Sequence, residues 1–248
     1  MLRDSPQLEE LFLCLGIGNV GNALPSAEPI PTRVSLHALQ RLYIRDTPAA
    51  LVYQLLGSVD FITNEIAMQF TNITSGFTWT FPTTLPLEPS LRAATSFEII
   101  YTSGHGMIIQ GNNQRVRIRV AHFLDSKVNH TEIFSDLARQ ASPQFPLREL
   151  WIHIERKKEY KLPPLSQFSH LEKLVVRVTT DGNPVRRLLQ MLGVNGDASC
   201  PLLSTLTLLG VLSIDVLSKV LKTRSNAGYR LGRLRLGKSR ILLEEAAM

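Results

Sequence analysis

One short arrangement of apolar positions recurs along the chain: apolar, two residues, apolar, one residue, apolar. It appears as Leu8-Leu11-Leu13, Leu39-Leu42-Ile44 and Leu147-Leu150-Ile152, and returns as Leu171-Leu174-Val176, Leu203-Leu206-Leu208 and Leu231-Leu234-Leu236. Four of the five intervals between successive copies lie between 24 and 32 residues, and the fifth is 108. A recurring period in this range marks stacked supersecondary units. The last two apolar residues of each copy are two apart, so they point to one face of a short strand. The first, three positions earlier, covers the turn into that strand. A single copy cannot bury its own apolar face, whereas stacked copies join their rows into one continuous core.

Helical patterns lie between the copies. Asp46-Thr47-Pro48 precedes Ala49 to Leu56, with Pro near the first turn, where its missing N–H costs nothing. Asn129 to Ala138 places Ile133, Phe134 and Leu137 together. Asn183-Pro184 opens Val185 to Leu192, closed by Gly193, and Ser213 to Thr223 sets Ile214, Leu217, Val220 and Leu221 at helical spacing. Strand, helix, strand at this interval predicts an α/β fold: a leucine-rich-repeat-like solenoid with parallel strands and helices on the convex side.

The middle of the chain departs from the pattern. Three period-two runs occur there: Ile66-Met68-Phe70, Phe97-Ile99-Tyr101, and Val116-Ile118-Val120 interleaved with Arg115, Arg117 and Arg119. These predict strands. Gly104-His105-Gly106 and Gly111-Asn112-Asn113 predict turns, and the three prolines between Phe81 and Pro89 predict a loop. The region is either a set of degenerate repeats or an inserted β element; the interval of 108 residues accommodates three to four repeats, which favours the former. The expectation is a single domain over 1–248, with N-terminal repeats at 1–60, an irregular β-rich middle at 61–125 and C-terminal repeats at 126–248.

Two segments carry a family likeness. Val34 to Asp46 with the helix ending near Leu56, and Cys200-Pro201-Leu202-Leu203-Ser204-Thr205-Leu206-Thr207-Leu208, resemble repeats of fungal F-box proteins of the leucine-rich-repeat type. In that family an N-terminal F-box docks on a ubiquitin-ligase adaptor and a divergent repeat region recruits the target. The resemblance implies target recognition by the repeats. No F-box-like segment precedes the first copy at Leu8, so the chain is expected to correspond to the C-terminal part of such a protein, or to a derivative without the adaptor-binding module.

Composition narrows the class. Hydrophobic residues make up 44 % and charged residues 19 %, which fits a globular chain with a sizeable core rather than a disordered or coiled-coil one. Cys14 and Cys200 are too few for a disulfide framework or a four-cysteine zinc site, and are expected to be reduced thiols. No secretory signal or membrane-length apolar run is visible, so a cytoplasmic or nuclear location is expected. The net charge is +6, and from Lys219 onward eight Lys/Arg face two acids. That bias opens a second reading, a basic repeat domain that binds nucleic acid.

Gly16-Ile17-Gly18-Asn19-Val20-Gly21 matches a dinucleotide-binding fingerprint and follows an apolar run. An NAD-linked enzyme would need a helix starting inside that motif, so that its amides face the pyrophosphate. Pro25, Pro29 and Pro31 follow instead, and prolines at that density oppose a regular helix. A glycine-rich loop is the expectation, with no bound cofactor. The six histidines show no metal-ligand spacing and no serine sits in a nucleophile elbow, so no catalytic or metal site is expected. Arg156-Lys157-Lys158 with Lys161 reads as a solvated loop.

Strand alternation supplies a positive candidate. In each copy the residue between the last two apolar positions points away from the core: Phe12, Tyr43, Trp151, Val175, Thr207 and Arg235. Arg41, Arg45, His153 and Arg177 flank them on the same face. Aromatic and arginine side chains concentrate binding energy at interfaces. The expectation is a non-catalytic scaffold whose concave face holds another protein through Phe12, Tyr43, Trp151, His153, Arg41, Arg45, Arg177 and Arg235.

Overall fold

A computed structural model describes residues 5–14, 34–60, 67–71, 94–102, 107–112, 115–121, 147–155, 165–179, 183–193, 199–210, 212–237 and 241–242. Each copy of the triplet becomes a strand: β1 (Glu10–Cys14), β3 (Arg41–Arg45), β9 (Glu149–Ile154), β10 (Lys173–Val178), β11 (Thr205–Leu209) and β13 (Arg233–Leu236). The middle adds β5 (Ala67–Thr71), β6 (Ser96–Thr102), β7 (Met107–Asn112) and β8 (Arg115–Ala121). Together they form one ten-stranded sheet in the order β1-β3-β5-β7-β8-β6-β9-β10-β11-β13. Every neighbouring pair is parallel except the two that involve β7. Two-residue pairs, β2 (Val34–Ser35) with β4 (Val59–Asp60) and β12 (Leu212–Ser213) with β14 (Ile241–Leu242), lie outside this sheet.

The triplet has a local hydrogen-bond counterpart. The amide of the first leucine closes a four-residue turn in four copies: Leu8 onto Ser5, Leu39 onto Leu36, Leu171 onto Phe168 and Leu203 onto Cys200. At the start of β3, β9, β10, β11 and β13, two successive amides donate to one carbonyl of the preceding unit. Gln40 and Arg41 share Glu9 O, Arg148 and Glu149 share Thr95 O, and Glu172 and Lys173 share Arg148 O. Ser204 and Thr205 share Glu172 O, and Gly232 and Arg233 share Ser204 O. A carbonyl has two lone pairs, so this arrangement satisfies two donors at once and ties the register of each such strand to the last.

Leu39, Leu42 and Ile44, Leu147, Leu150 and Ile152, Leu171, Leu174 and Val176, and Leu203, Leu206 and Leu208 are buried in one core cluster. Three helices contribute to the same cluster: α1 (Ala49–Ser58) through Val52 and Leu56, α2 (Asn183–Gly193) through Val185, Leu188, Leu189 and Leu192, and α3 (Ile214–Asn226) through Leu217 and Val220. The result is an α/β fold with helices against one side of a mainly parallel sheet. Burying a leucine at each such position contributes about 1.5–3 kcal/mol. The terminal copies are less shielded: Leu8, Leu11 and Leu13 are only partly buried, while Leu234 and Leu236 are exposed on β13, which among the described residues is the last strand of the sheet.

Three further devices fix the connections. Cys200 adopts a left-handed φ of 56°, and the buried Arg224 of α3 donates to Ser199 O (2.7 Å) and Cys200 O (3.0 Å) across that turn. Gly210, after β11, has φ +141°, and a Cβ there would lie 2.3 Å from Val178 O. Gly193 ends α2 against Val220, where an added Cβ would meet Val220 Cγ2 at 3.1 Å, so small size lets α2 and α3 approach.

Among the described residues the middle region holds both parallel and antiparallel strands. Ala94, Phe97 and Ile99 are a further buried copy of the triplet, with Ala in the first place, and β6 pairs in parallel with β9 like a repeat strand. β7 and β8 pair antiparallel and lie between β5 and β6. Gly111 and Asn112, expected in a turn, belong to β7, where they pair with Val116 and Arg115. The expected loop at 81–89, the helix at 129–138, the glycine motif at 16–21 and the basic run at 156–161 lie outside the described residues.

Candidate functional site: the outer face of the sheet

Side chains alternate across a strand, so the residues between the buried positions all emerge on the other face. Strand register arranges them in transverse rows. On the six strands from β8 to β13, one row reads Arg115, Ser96, Glu149, Lys173, Thr205, Arg233; the next reads Arg117, Glu98, Trp151, Val175, Thr207, Arg235; a third reads Arg119, Ile100, His153, Arg177, Leu209. At the other end of the sheet, Glu10 is level with Arg41, Phe12 with Tyr43, and Cys14 with Arg45.

Register divides the predicted binding residues into two groups. Phe12 and Tyr43 lie in contact range with ring centroids 6.3 Å apart, and Phe12 is 64 % exposed. Followed across β5, β7, β8 and β6, their row arrives at His153, not at Trp151. Five strand spacings separate Tyr43 from Trp151, roughly 24 Å at about 4.8 Å each. A surface centred on both residues at once is therefore replaced by two patches. Arg41 pairs with Glu10 at 2.6 Å and Arg45 with Asp46 at 3.0 Å, both at the surface. Trp151, His153, Arg177 and Arg235 form the second patch with residues that sequence reasoning passed over.

Glu98 organises that second patch. Its carboxylate, 7 % exposed, accepts from Arg117 Nε at 2.8 Å and from Arg115 Nη2 at 3.1 Å through the same oxygen. Its other oxygen lies 3.4 Å from His153 Nε2, which is buried and makes no hydrogen bond. Burial lowers the His153 pKa below its usual value; Glu98 opposes the shift and Arg177 adds to it. Alternation alone gave the signal for this cluster: Arg115, Arg117 and Arg119 stood out in the sequence, but Glu98 in Phe97-Glu98-Ile99 did not, because nothing local announces which strand will lie beside it.

Trp151 is engaged within the chain. Lys173 Nζ sits 5.0 Å and the Arg115 guanidinium 5.7 Å from its ring centroid, and its indole N–H donates to Glu149, which also accepts from Lys173. The ring stacks at 6.2 Å on His153. Val175, between Trp151 and Thr207 in register, is on the outer face as expected but only 2 % exposed. It is therefore part of the floor and not a contact residue.

The charge balance of the patch is one-sided. Two of its acids are occupied, Glu98 by Arg115 and Arg117 and Glu149 by Lys173, while Glu155 is exposed past the end of β9 near His153. Arg119, Arg177, Arg233 and Arg235 are exposed and, among the described residues, have no carboxylate partner. Among the described residues no group of three His, Cys, Asp or Glu side chains could hold a metal ion, and no helix is long and apolar enough to cross a membrane. Cys200 is buried, with its thiol on Leu165 O and its pKa pushed up to about 12 by burial, so it is a packing residue rather than a nucleophile. A groove of about 420 Å³ lies between α1 and the ends of β1 and β3, lined by Leu13, Ile44, Leu51, Val52 and Leu55. Comparison of the chain with protein-family models, with curated proteins and with solved structures finds no match.

Proposed function

We propose that the chain is a non-catalytic recognition scaffold of the leucine-rich-repeat type, whose outer sheet face holds another protein. The observation that carries this reading is the division of labour between the two faces. One face buries the triplets against α1, α2 and α3, while the other sets out ordered rows of arginine and aromatic side chains, four of the arginines free of carboxylate partners among the described residues. Such a face offers an extended rigid surface that needs little ordering on association, which is what a repeat scaffold contributes to binding. The solenoid, the target-recognition role in an F-box-type ubiquitin ligase and the cytoplasmic or nuclear setting belong to the same proposal. They rest on the recurring triplet, the shared-carbonyl junctions and the resemblance of Val34–Asp46 and Cys200–Leu208.

A photo-crosslinking side chain placed at Tyr43 or Thr207, on the outer face, and at Arg187, on α2, tests the reading in cells. Crosslinks to a discrete protein from the face positions and not from Arg187 are the expected result. Crosslinks from Arg187 alone, or equal yields from both sides, would place the partner elsewhere.

A further inference from the structure

Resting on the recognition reading above, we infer that the outer face takes an acidic segment of its partner, extended across the strands along the row Arg119–Ile100–His153–Arg177. Arg119 and Arg177 stand at the two ends of this row, exposed and without a carboxylate partner among the described residues. They are three strand spacings apart, roughly 14 Å. Between them, Ile100 is buried and the His153 side chain is only 19 % exposed with its Nε2 buried, so the floor presents little polar side-chain surface. Arginine guanidinium groups bind carboxylates as forks, with both charge and geometry.

The spacing selects the ligand. An extended peptide advances about 3.3 Å per residue, so carboxylates four residues apart reach both arginines. An even separation also keeps both side chains on the side of the peptide that faces the sheet. The residue midway faces the Ile100–His153 floor, next to Glu155, which follows His153 by two positions on β9's continuation and lies near enough to influence its charge. An acid midway would be repelled there, and a neutral or apolar residue is accommodated. The pattern read from the face is acid, spacer, apolar, spacer, acid.

Nucleic acid is disfavoured by the same residues. Sequence-tolerant binding of single strands relies on open aromatic faces, and here Lys173 and Arg115 already sit over Trp151. Three of the cations on this patch are held by Glu98 and Glu149, so a phosphate backbone would have to displace ion pairs that an acidic peptide at the Arg119 row leaves intact.

The test uses the full chain and fluorescein-labelled peptides of alanine and serine carrying two aspartates at separations of two to six residues, with leucine between them. Anisotropy at low salt is expected to show the tightest binding at a separation of four, with at least a tenfold loss at three and five and on Asp→Asn replacement. The double variant Arg119→Gln/Arg177→Gln, at exposed positions, is expected to lose at least tenfold, and Lys219→Gln on α3, on the helix side of the sheet, to stay within twofold. Binding that ignores aspartate spacing, or survives the double variant, overturns the inference. So does tighter binding of an oligothymidylate than of the best peptide. Crosslinks from Tyr43 and Thr207 that persist while no peptide binds would leave the recognition reading standing and remove the acidic segment alone.

Discussion

Replacing Glu98 by glutamine removes the charge that holds Arg115 and Arg117 on the outer face while preserving shape. Two charge-assisted hydrogen bonds are weakened, each about 1.5–3 kcal/mol when fully shielded. The shielding here is one-sided: the carboxylate is 7 % exposed, but the arginine side chains are 49 % and 45 % exposed, so water competes for them. Each pair then falls toward the exposed-pair range of about 0.2–1 kcal/mol. Burying the carboxylate carries a desolvation cost that glutamine relieves in part. The expected net loss is about 0.5–1.5 kcal/mol, read as a lower urea midpoint with an unchanged slope. A double-mutant cycle with Arg117→Gln isolates the pair, with an expected coupling of about 0.5–1 kcal/mol. The replacement also releases two cations toward solvent, so affinity for the two-aspartate peptide is expected to rise severalfold. A Glu98→Gln protein as stable as the parent, or with no coupling to Arg117, would refute the assignment of Glu98 as the organiser of the patch.

Other consequences follow from single residues. Gly210→Ala is expected to destabilise the fold by about 3 kcal/mol or more in urea unfolding, because φ +141° and a Cβ 2.3 Å from Val178 O leave an L side chain no room; a loss under 1 kcal/mol would contradict that geometry. A thiol reagent should modify the exposed Cys14 at once and Cys200 only on unfolding, and two fast thiols in the native protein would be inconsistent with the packing. His153 has a folded pKa lowered by burial, so the unfolded chain binds its proton first as pH falls; stability is full above the ordinary value of 6.5 and declines as pH drops below it. Thermal melts between pH 7.5 and 5 should show this slope reduced in His153→Gln, and an identical slope would remove His153 as its source. Leu174→Ala, fully buried in the core, is expected to cost about 2–5 kcal/mol by the same denaturation assay.

What the sequence made legible was local. The triplet Leu171-Leu174-Val176 predicts its own turn, strand and buried face, since all three follow from spacing, and the helices over 49–58, 183–193 and 214–226 follow from apolar periodicity with Pro or Gly at their ends. The copy Ala94-Phe97-Ile99 passed unnoticed because alanine carries little hydrophobic signal, although it is fully buried where a leucine stands in other copies. β7 was missed for a different reason: Met107, Ile108 and Ile109 run together without alternation, and glycines flank them. The outer face was the least legible. Its rows depend on long-range register, and the placement of β7 and β8 between β5 and β6 shifts Phe12 and Tyr43 out of line with Trp151. Glu98, Arg115 and Arg117 are separated by 17 and 19 positions, and only the pairing of β6 with β8 makes them one cluster.

The most direct test of recognition through the outer face is calorimetric affinity for the crosslinked partner across charge reversals on the two sides of the sheet. Arg177→Glu and Arg235→Glu, on the face, are expected to weaken binding at least tenfold, with Arg186→Glu on α2 and Lys219→Glu on α3 within twofold of the parent. Equal affinities throughout, or losses confined to the helix variants, would contradict the account.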